Sequence, residues 1–146
     1  MENTKKVGNL TELQCATRLY ELGCAVSIPF GNSEKYDLII DWNNKLYKVQ
    51  VKTTKSIKNN IMSFATKTTN YTKGKWKSKS YKIDDVDFFF LYCMENDWCG
   101  LYVPKGKINT DITIRLEKPK NNQKKGIHLA DDYSFEKQIL LLLNEN

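Results

Sequence analysis

Apolar and polar residues alternate along two neighbouring runs, residues 36–42 and 45–52, on either side of Asn43-Asn44. A period of two marks a half-buried strand, and Asn tolerates the positive φ of a two-residue turn, so the stretch predicts a β-hairpin with Trp42 opposite Lys45. In that register Asp37 falls opposite Gln50. Opposed residues share a face, and Lys52 is their diagonal neighbour. Leu38, Ile40, Trp42, Tyr47, Val49 and Val51 take the other face and are expected in the core. A carboxylate, an amide and an ammonium thus gather on one side of a hairpin anchored from behind. The plain alternative is a solvated face carrying ordinary polar residues.

The remaining pattern predicts a helix opened by Gly8-Asn9, running to about Leu22 and closed by Gly23. Its polar side carries Thr11, Gln14, Thr17, Arg18 and Glu21, and its apolar side Leu13, Cys15, Ala16, Leu19, Tyr20 and Leu22. Glu12 falls in the middle of that apolar side, where a carboxylate is costly unless compensated. Asn9-x-x-Glu12 fits a capping box at a helix start; a cation shared with Asp37 is the other compensation. Residues 24–30 form a first strand, Gly31-Asn32-Ser33 a turn and residues 61–66 a short strand. Residues 67–82 show no periodicity and read as a loop. Residues 86–93 are almost continuously apolar and predict a central buried strand. Residues 98–103 return as a strand, and residues 112–116 form an edge strand. Ser134 caps a last helix over residues 135–143. No repeat, linker or domain boundary interrupts residues 1–146, which read as one domain.

Charge changes the picture more by its distribution than by its total. The formal net charge is +6, yet residues 42–83 hold eleven Lys and no Asp or Glu, leaving twelve basic and seventeen acidic residues elsewhere. A segment of +11 set against −5 points to a polyanionic partner, read here as nucleic acid. Lys67, Lys73, Lys75, Lys77 and Lys79 alternate with Tyr71 and Trp76, which suits phosphate neutralisation with rings laid on bases or sugars; Lys55 lies in the polar connection before them. The four cysteines, Cys15, Cys24, Cys93 and Cys99, lack zinc-knuckle spacing, and one His cannot complete a Cys/His set. With a polar start over residues 1–9 and no apolar run near twenty residues, the chain reads as a cytoplasmic protein with reduced, packed thiols and no membrane span.

Hydrolysis of a phosphodiester needs a cation at the phosphate and an activated water. Glu12, Asp37, the Gln50 amide and the Val51 carbonyl offer hard oxygen donors to Mg²⁺, with Mn²⁺ able to substitute. Lys52 would stand near the attacking water or the scissile phosphate. So few charged ligands predict a weak, roughly millimolar metal requirement.

A helical Glu12, then Tyr36-Asp37, then Gln50-Val51-Lys52 after a short hairpin resembles the PD-(D/E)XK nuclease superfamily. Within it the chain is similar to the branch containing the group I intron homing endonuclease of cyanobacteria and its small bacterial and phage relatives. Gly8-Asn9-Leu10-Thr11-Glu12, Ile28-Pro29-Phe30-Gly31, Asp87-Phe88-Phe89, Arg115-Leu116, Pro119-x-Asn121-Asn122-Gln123 and Ala130-Asp131-Asp132-Tyr133 extend the resemblance over most of the chain. It implies an α/β (α+β), restriction-endonuclease-like fold with a mixed central sheet flanked by helices. It also implies Mg²⁺-dependent cleavage of double-stranded DNA by a homodimer or homotetramer, with catalytic roles for Glu12, Asp37, Gln50 and Lys52. Gln50 stands where the superfamily usually has an acid; the intron-endonuclease branch has Gln there too. A Holliday-junction-resolvase-like nuclease, a catalytically weak DNA-binding module of the same fold, and a protein-binding factor are the other readings.

Overall fold

The computed structural model describes residues 3–31 and 33–144. Residues 1, 2, 32, 145 and 146 lie outside this description, and with them parts of the polar start and of the Gly31-Asn32-Ser33 turn. In chain order the elements are α1 (Thr4–Glu21), β1 (Ala25–Ser27), β2 (Leu38–Trp42), β3 (Lys45–Thr54), β4 (Ile61–Ala65), β5 (Lys67–Thr72), β6 (Lys75–Ser80), β7 (Phe88–Cys93), β8 (Trp98–Tyr102), β9 (Asp111–Arg115) and α2 (Phe135–Asn144), with a short 3-10 turn at Ala130–Asp132.

Asn43 and Asn44 both have positive φ, 51° and 64°, the left-handed pair that matches the twist of the flanking strands. Around them β2 and β3 pair antiparallel, with Trp42 opposite Lys45 and Leu38 opposite Val49, the register expected from the alternation. The central sheet runs β1-β2-β3-β7-β8, and it is mixed because β3 and β7 are parallel while the other neighbours are antiparallel. β7 lies inside the sheet, which is why Phe88, Phe89, Phe90 and Leu91 are all fully buried and the run carries no alternation.

The two sheet faces are covered differently. On one, Cys15 and Leu19 of α1 and Phe135, Ile139 and Leu143 of α2 pack against Leu38, Ile40, Tyr47, Val49, Val51, Phe88 and Phe90. On the other, Met62 and Phe64 of β4 and Ile112 and Ile114 of β9 pack against Phe89, Leu91 and Cys93. β4 and β9 form their own antiparallel pair, so both helices share one side and a ribbon covers the other. All four cysteines are buried free thiols.

Two expectations are corrected. The helix begins at Thr4, capped by the Asn3 side chain, which accepts from the Lys5 N–H at 3.0 Å. Its buried line is Val7, Thr11, Cys15 and Leu19, while Leu13 and Tyr20 are 61% and 73% exposed. The large apolar side chains thus misled the face assignment, and Thr11, counted as polar surface, is in the core. Residues 67–82 are no loop: β5 and β6 form a hairpin closed by Lys73-Gly74 at φ 52° and 75°. Alternation marks a strand only when one face is buried, and residues 69–80 are exposed on both. Among the described residues no helix is long and apolar enough to cross a membrane.

The central turn generates a test. Asn44→Gly is expected to stabilise the protein by about 0.5 kcal/mol, since Gly meets no steric penalty at positive φ. Asn44→Val is expected to destabilise it by about 1–2 kcal/mol. Urea unfolding of the three proteins checks the order; Val tolerated as well as Gly would mean that the turn does not set the register.

Candidate functional site

The site arises from a mismatch in strand length. β3 has ten residues and β2 five, and their pairing stops at Leu38 and Val49. Past that point β3 has no strand beside it on the β2 side. Asp37, the residue before β2, fills the gap: its N–H donates to the Val49 carbonyl at 2.7 Å, and its Oδ2 accepts the Val51 N–H at 2.9 Å. A carboxylate there acts as the acceptor that a longer β2 would have supplied.

α1 lies along the same open edge. The Thr53 hydroxyl donates to Thr11 Oγ1 at 2.8 Å, and the Thr11 hydroxyl donates to the Val7 carbonyl at 3.1 Å. This buried pair holds the helix where the next residue, Glu12, meets Asp37. The two carboxyl groups are within hydrogen-bonding reach of each other. Because residues 4–8 are already helical, Glu12 sits in the third turn and the capping-box reading of Asn9 falls. Glu12 also stands beside the buried line rather than at its centre, half-buried at the sheet edge.

Burial raises Glu12 from 4.5 to about 7, reinforced by the charge of Asp37 and by their hydrogen bond. Burial likewise raises Asp37, outweighing the Val51 N–H, the charge of Lys52 and the bond with Glu12. Lys52 is pushed below its usual value by burial, partly offset by Asp37. Its Nζ donates to the Lys67 carbonyl at 3.1 Å and lies 5.1 Å from the centre of the Tyr81 ring. Tyr81 is 5% exposed, and burial, then Asp37 and Asp85, raise its phenol. Gln50 is half-buried, its Nε2 donating to the Val51 carbonyl at 3.4 Å. The structure therefore brings Glu12, Asp37, Gln50, Val51 and Lys52 to one strand edge. Thr11, Thr53 and Tyr81 were missed as parts of it. In sequence Tyr81 is one more ring among lysines, followed by Lys82, and nothing local sets it apart from Tyr71 and Trp76.

The residues expected at nucleic acid are distributed by the β5–β6 pairing. Lys67 is half-buried at the hairpin base, beside Lys52, and Lys73 is in the turn. Tyr71 pairs with Trp76, their rings 5.0 Å apart. Lys75, Lys77 and Lys79 pair with Thr72, Asn70 and Thr68. Since facing residues share a side, these six occupy one face and Tyr71 and Trp76 the other. Lysines and rings that alternate in sequence are thus segregated in space. Lys55 is exposed just past β3.

The donor set fits a hard divalent cation. Two crowded carboxyls, one held near neutrality only by binding a proton, are joined by the Val51 carbonyl and the Gln50 amide, all oxygen donors. Among the described residues no group of three or more His, Cys, Asp or Glu gathers, so such a cation would keep much of its water. The same crowding sets a pH signature. A group whose folded pKa is raised stabilises the fold below its unfolded pKa, and that stability is lost as pH rises through the folded one. In metal-free protein, Glu12→Gln is expected to match the wild type near pH 4.5 and to exceed it above about pH 7, by on the order of 1 kcal/mol for a half-exposed group. Urea unfolding at the two pH values measures this; an equal difference at both would contradict the crowding.

Residues 2–136 match the family described as PD-(D/E)XK endonuclease. No curated protein is matched. Among solved structures, a bacterial homing endonuclease, I-Ssp6803I, superposes with a TM-score of 0.79 at 22% sequence identity, over 99% of this chain and 95% of that one, a likeness of fold. With a model match across nearly the whole length, the chain belongs to the PD-(D/E)XK endonuclease family.

Proposed function

We propose that this endonuclease is a divalent-metal-dependent endodeoxyribonuclease that hydrolyses phosphodiester bonds of double-stranded DNA, in the manner of a homing endonuclease. The observation that carries the reading is the meeting of Glu12 and Asp37 at the open edge of β3, with Lys52 one residue past the Val51 amide that Asp37 accepts. A cation such as Mg²⁺, or Mn²⁺ in its place, held by Asp37, Glu12 and the Val51 carbonyl, would offset phosphate charge and favour hydroxide.

The chain's own groups do the rest. Lys52, half-buried between Tyr81 and the Lys67 carbonyl, presents its ammonium to a phosphate oxygen as negative charge develops; a partly desolvated cation acts more strongly there than one in water. Gln50 orients a water through its amide. Glu12, beside Asp37, would complete the cation's oxygen shell directly or through a water. The acid-free segment from residue 42 to residue 83, with Lys55, Lys67 and Lys73 among its lysines, neutralises backbone phosphates. One such site per chain cuts one strand, so a homodimer or homotetramer would serve a duplex.

Two measurements test this. Asp37→Ala and Lys52→Ala are each expected to slow cleavage of a supercoiled plasmid in Mg²⁺ by at least about a hundredfold, and EDTA to stop the wild type; cleavage indifferent to both substitutions removes the site. Separately, Mg²⁺ at about ten times its Kd should stabilise the wild type by about 1.4 kcal/mol and leave Asp37→Ala unmoved in thermal melts. An equal shift in both proteins places the metal elsewhere.

A further inference from the structure

The β5–β6 hairpin is the part of the chain that packing least explains. Residues 69–80 are exposed throughout, and an isolated two-stranded ribbon is marginal in water. The Tyr71–Trp76 ring contact accounts for its persistence, because a cross-strand aromatic pair is the usual unit of hairpin stabilisation. That occupies one face. The opposite face holds no ring pair: it presents Lys75, Lys77 and Lys79 from β6 and Thr72, Asn70 and Thr68 from β5, in three cross-strand pairs, with the Thr68 hydroxyl donating to the Lys79 carbonyl.

We infer that this lysine face is a base-reading surface that lies in the major groove of the duplex beside the cleavage site; the inference rests on the DNA-cutting reading above. Two strands about 4.8 Å apart make a ribbon that the major groove, roughly 12 Å wide, admits and the minor groove, roughly 6 Å wide, excludes. Each pair joins a lysine, a donor to guanine O6 and N7, to a threonine or asparagine, and Asn70 has the donor–acceptor amide that matches adenine N6 and N7. Side chains two residues apart on a strand are about 6.8 Å apart, close to two base-pair steps, so the three pairs sample a run of about five base pairs. The ribbon leaves the protein at Lys67, whose carbonyl receives the Lys52 ammonium, and this tether sets the distance from the base pairs read to the phosphate cut. Tyr71 and Trp76 face away from the bases. Asn70 and Lys77, the middle pair, determine sequence preference without touching the reacting atoms.

A charge-conserving relocation tests the face. Lys77→Ser combined with Ser78→Lys keeps composition and net charge but moves one ammonium to the aromatic side. Binding is measured in EDTA, so that no strand is cut, to a 30-base-pair duplex of mixed sequence over a salt series. Moving one ammonium from the groove face to the aromatic face should lower affinity at least about fivefold, and Lys75→Thr, Lys77→Thr and Lys79→Thr together should lower it further. Thr keeps the strand propensity, and unchanged Trp76 fluorescence confirms that the ribbon survives. With Mg²⁺ and a randomised-duplex library, Asn70→Ala should relax preference at one base-pair position while leaving the salt slope as in the wild type. Unchanged affinity in the relocated protein, or an unchanged cleavage profile for Asn70→Ala, overturns the inference while leaving the nuclease reading intact. A wild type that binds no duplex at all overturns both.

Discussion

The site depends on a strand ending early. β2 stops at Leu38 while β3 continues to Thr54, and unpaired backbone groups on a buried strand edge must find partners. The Val51 N–H finds the Asp37 carboxylate, and α1 is pinned to the same edge through Thr53 and Thr11. An acid is therefore present for a backbone reason before any chemistry is asked of it. Had β2 run two residues further, the ladder would satisfy Val51 and the edge would be closed to both carboxylates.

That arrangement is electrostatically unfavourable by itself. Two half-buried carboxyls within reach of each other raise one pKa to about 7, and the nearest cation, Lys52, is itself depressed by burial. Opposed shifts within one small volume are a common mark of groups that exchange protons or bind a cation. The Tyr81 ring beneath Lys52 keeps the ammonium off the apolar layer of Met62, Phe64 and Phe89 while leaving it beside Asp37. The β4–β9 ribbon and Tyr81 thus hold the lysine from below, and α1 holds the acid from the side. Removing either support would leave the motif residues in sequence but not in register.

The β5–β6 hairpin belongs to the same logic from the outside. It has little core of its own, it carries five lysines between Lys67 and Ser80, and its base touches Lys52. Low local packing and solvent-exposed backbone pairing make it a low-stability part of the fold. Other exposed apolar residues include Leu10, Leu13 and Tyr20 on α1 and Leu140 and Leu141 on α2.

Period-two alternation around Asn43-Asn44 was enough to place Asp37 beside Gln50 and Lys52, because strand register is a local property once the turn is known. The apolar run of β7 was equally legible, since a strand buried on both faces leaves no polar positions. The bearing of Glu12 was half legible: the helix was evident, but its start and buried line turn on Val7 and Thr11, whose roles come from contact with β3. The β5–β6 hairpin, both faces in solvent, left no apolar periodicity, and segregation of its lysines from its rings exists only once the strands pair. Local rules thus determined which residues share a strand face. Where the helix meets the sheet edge, which side of a wet ribbon carries the charge, and that Tyr81 lies beneath Lys52 were decided by long-range packing, because contacts between residues far apart in sequence are not encoded in the spacing of either partner.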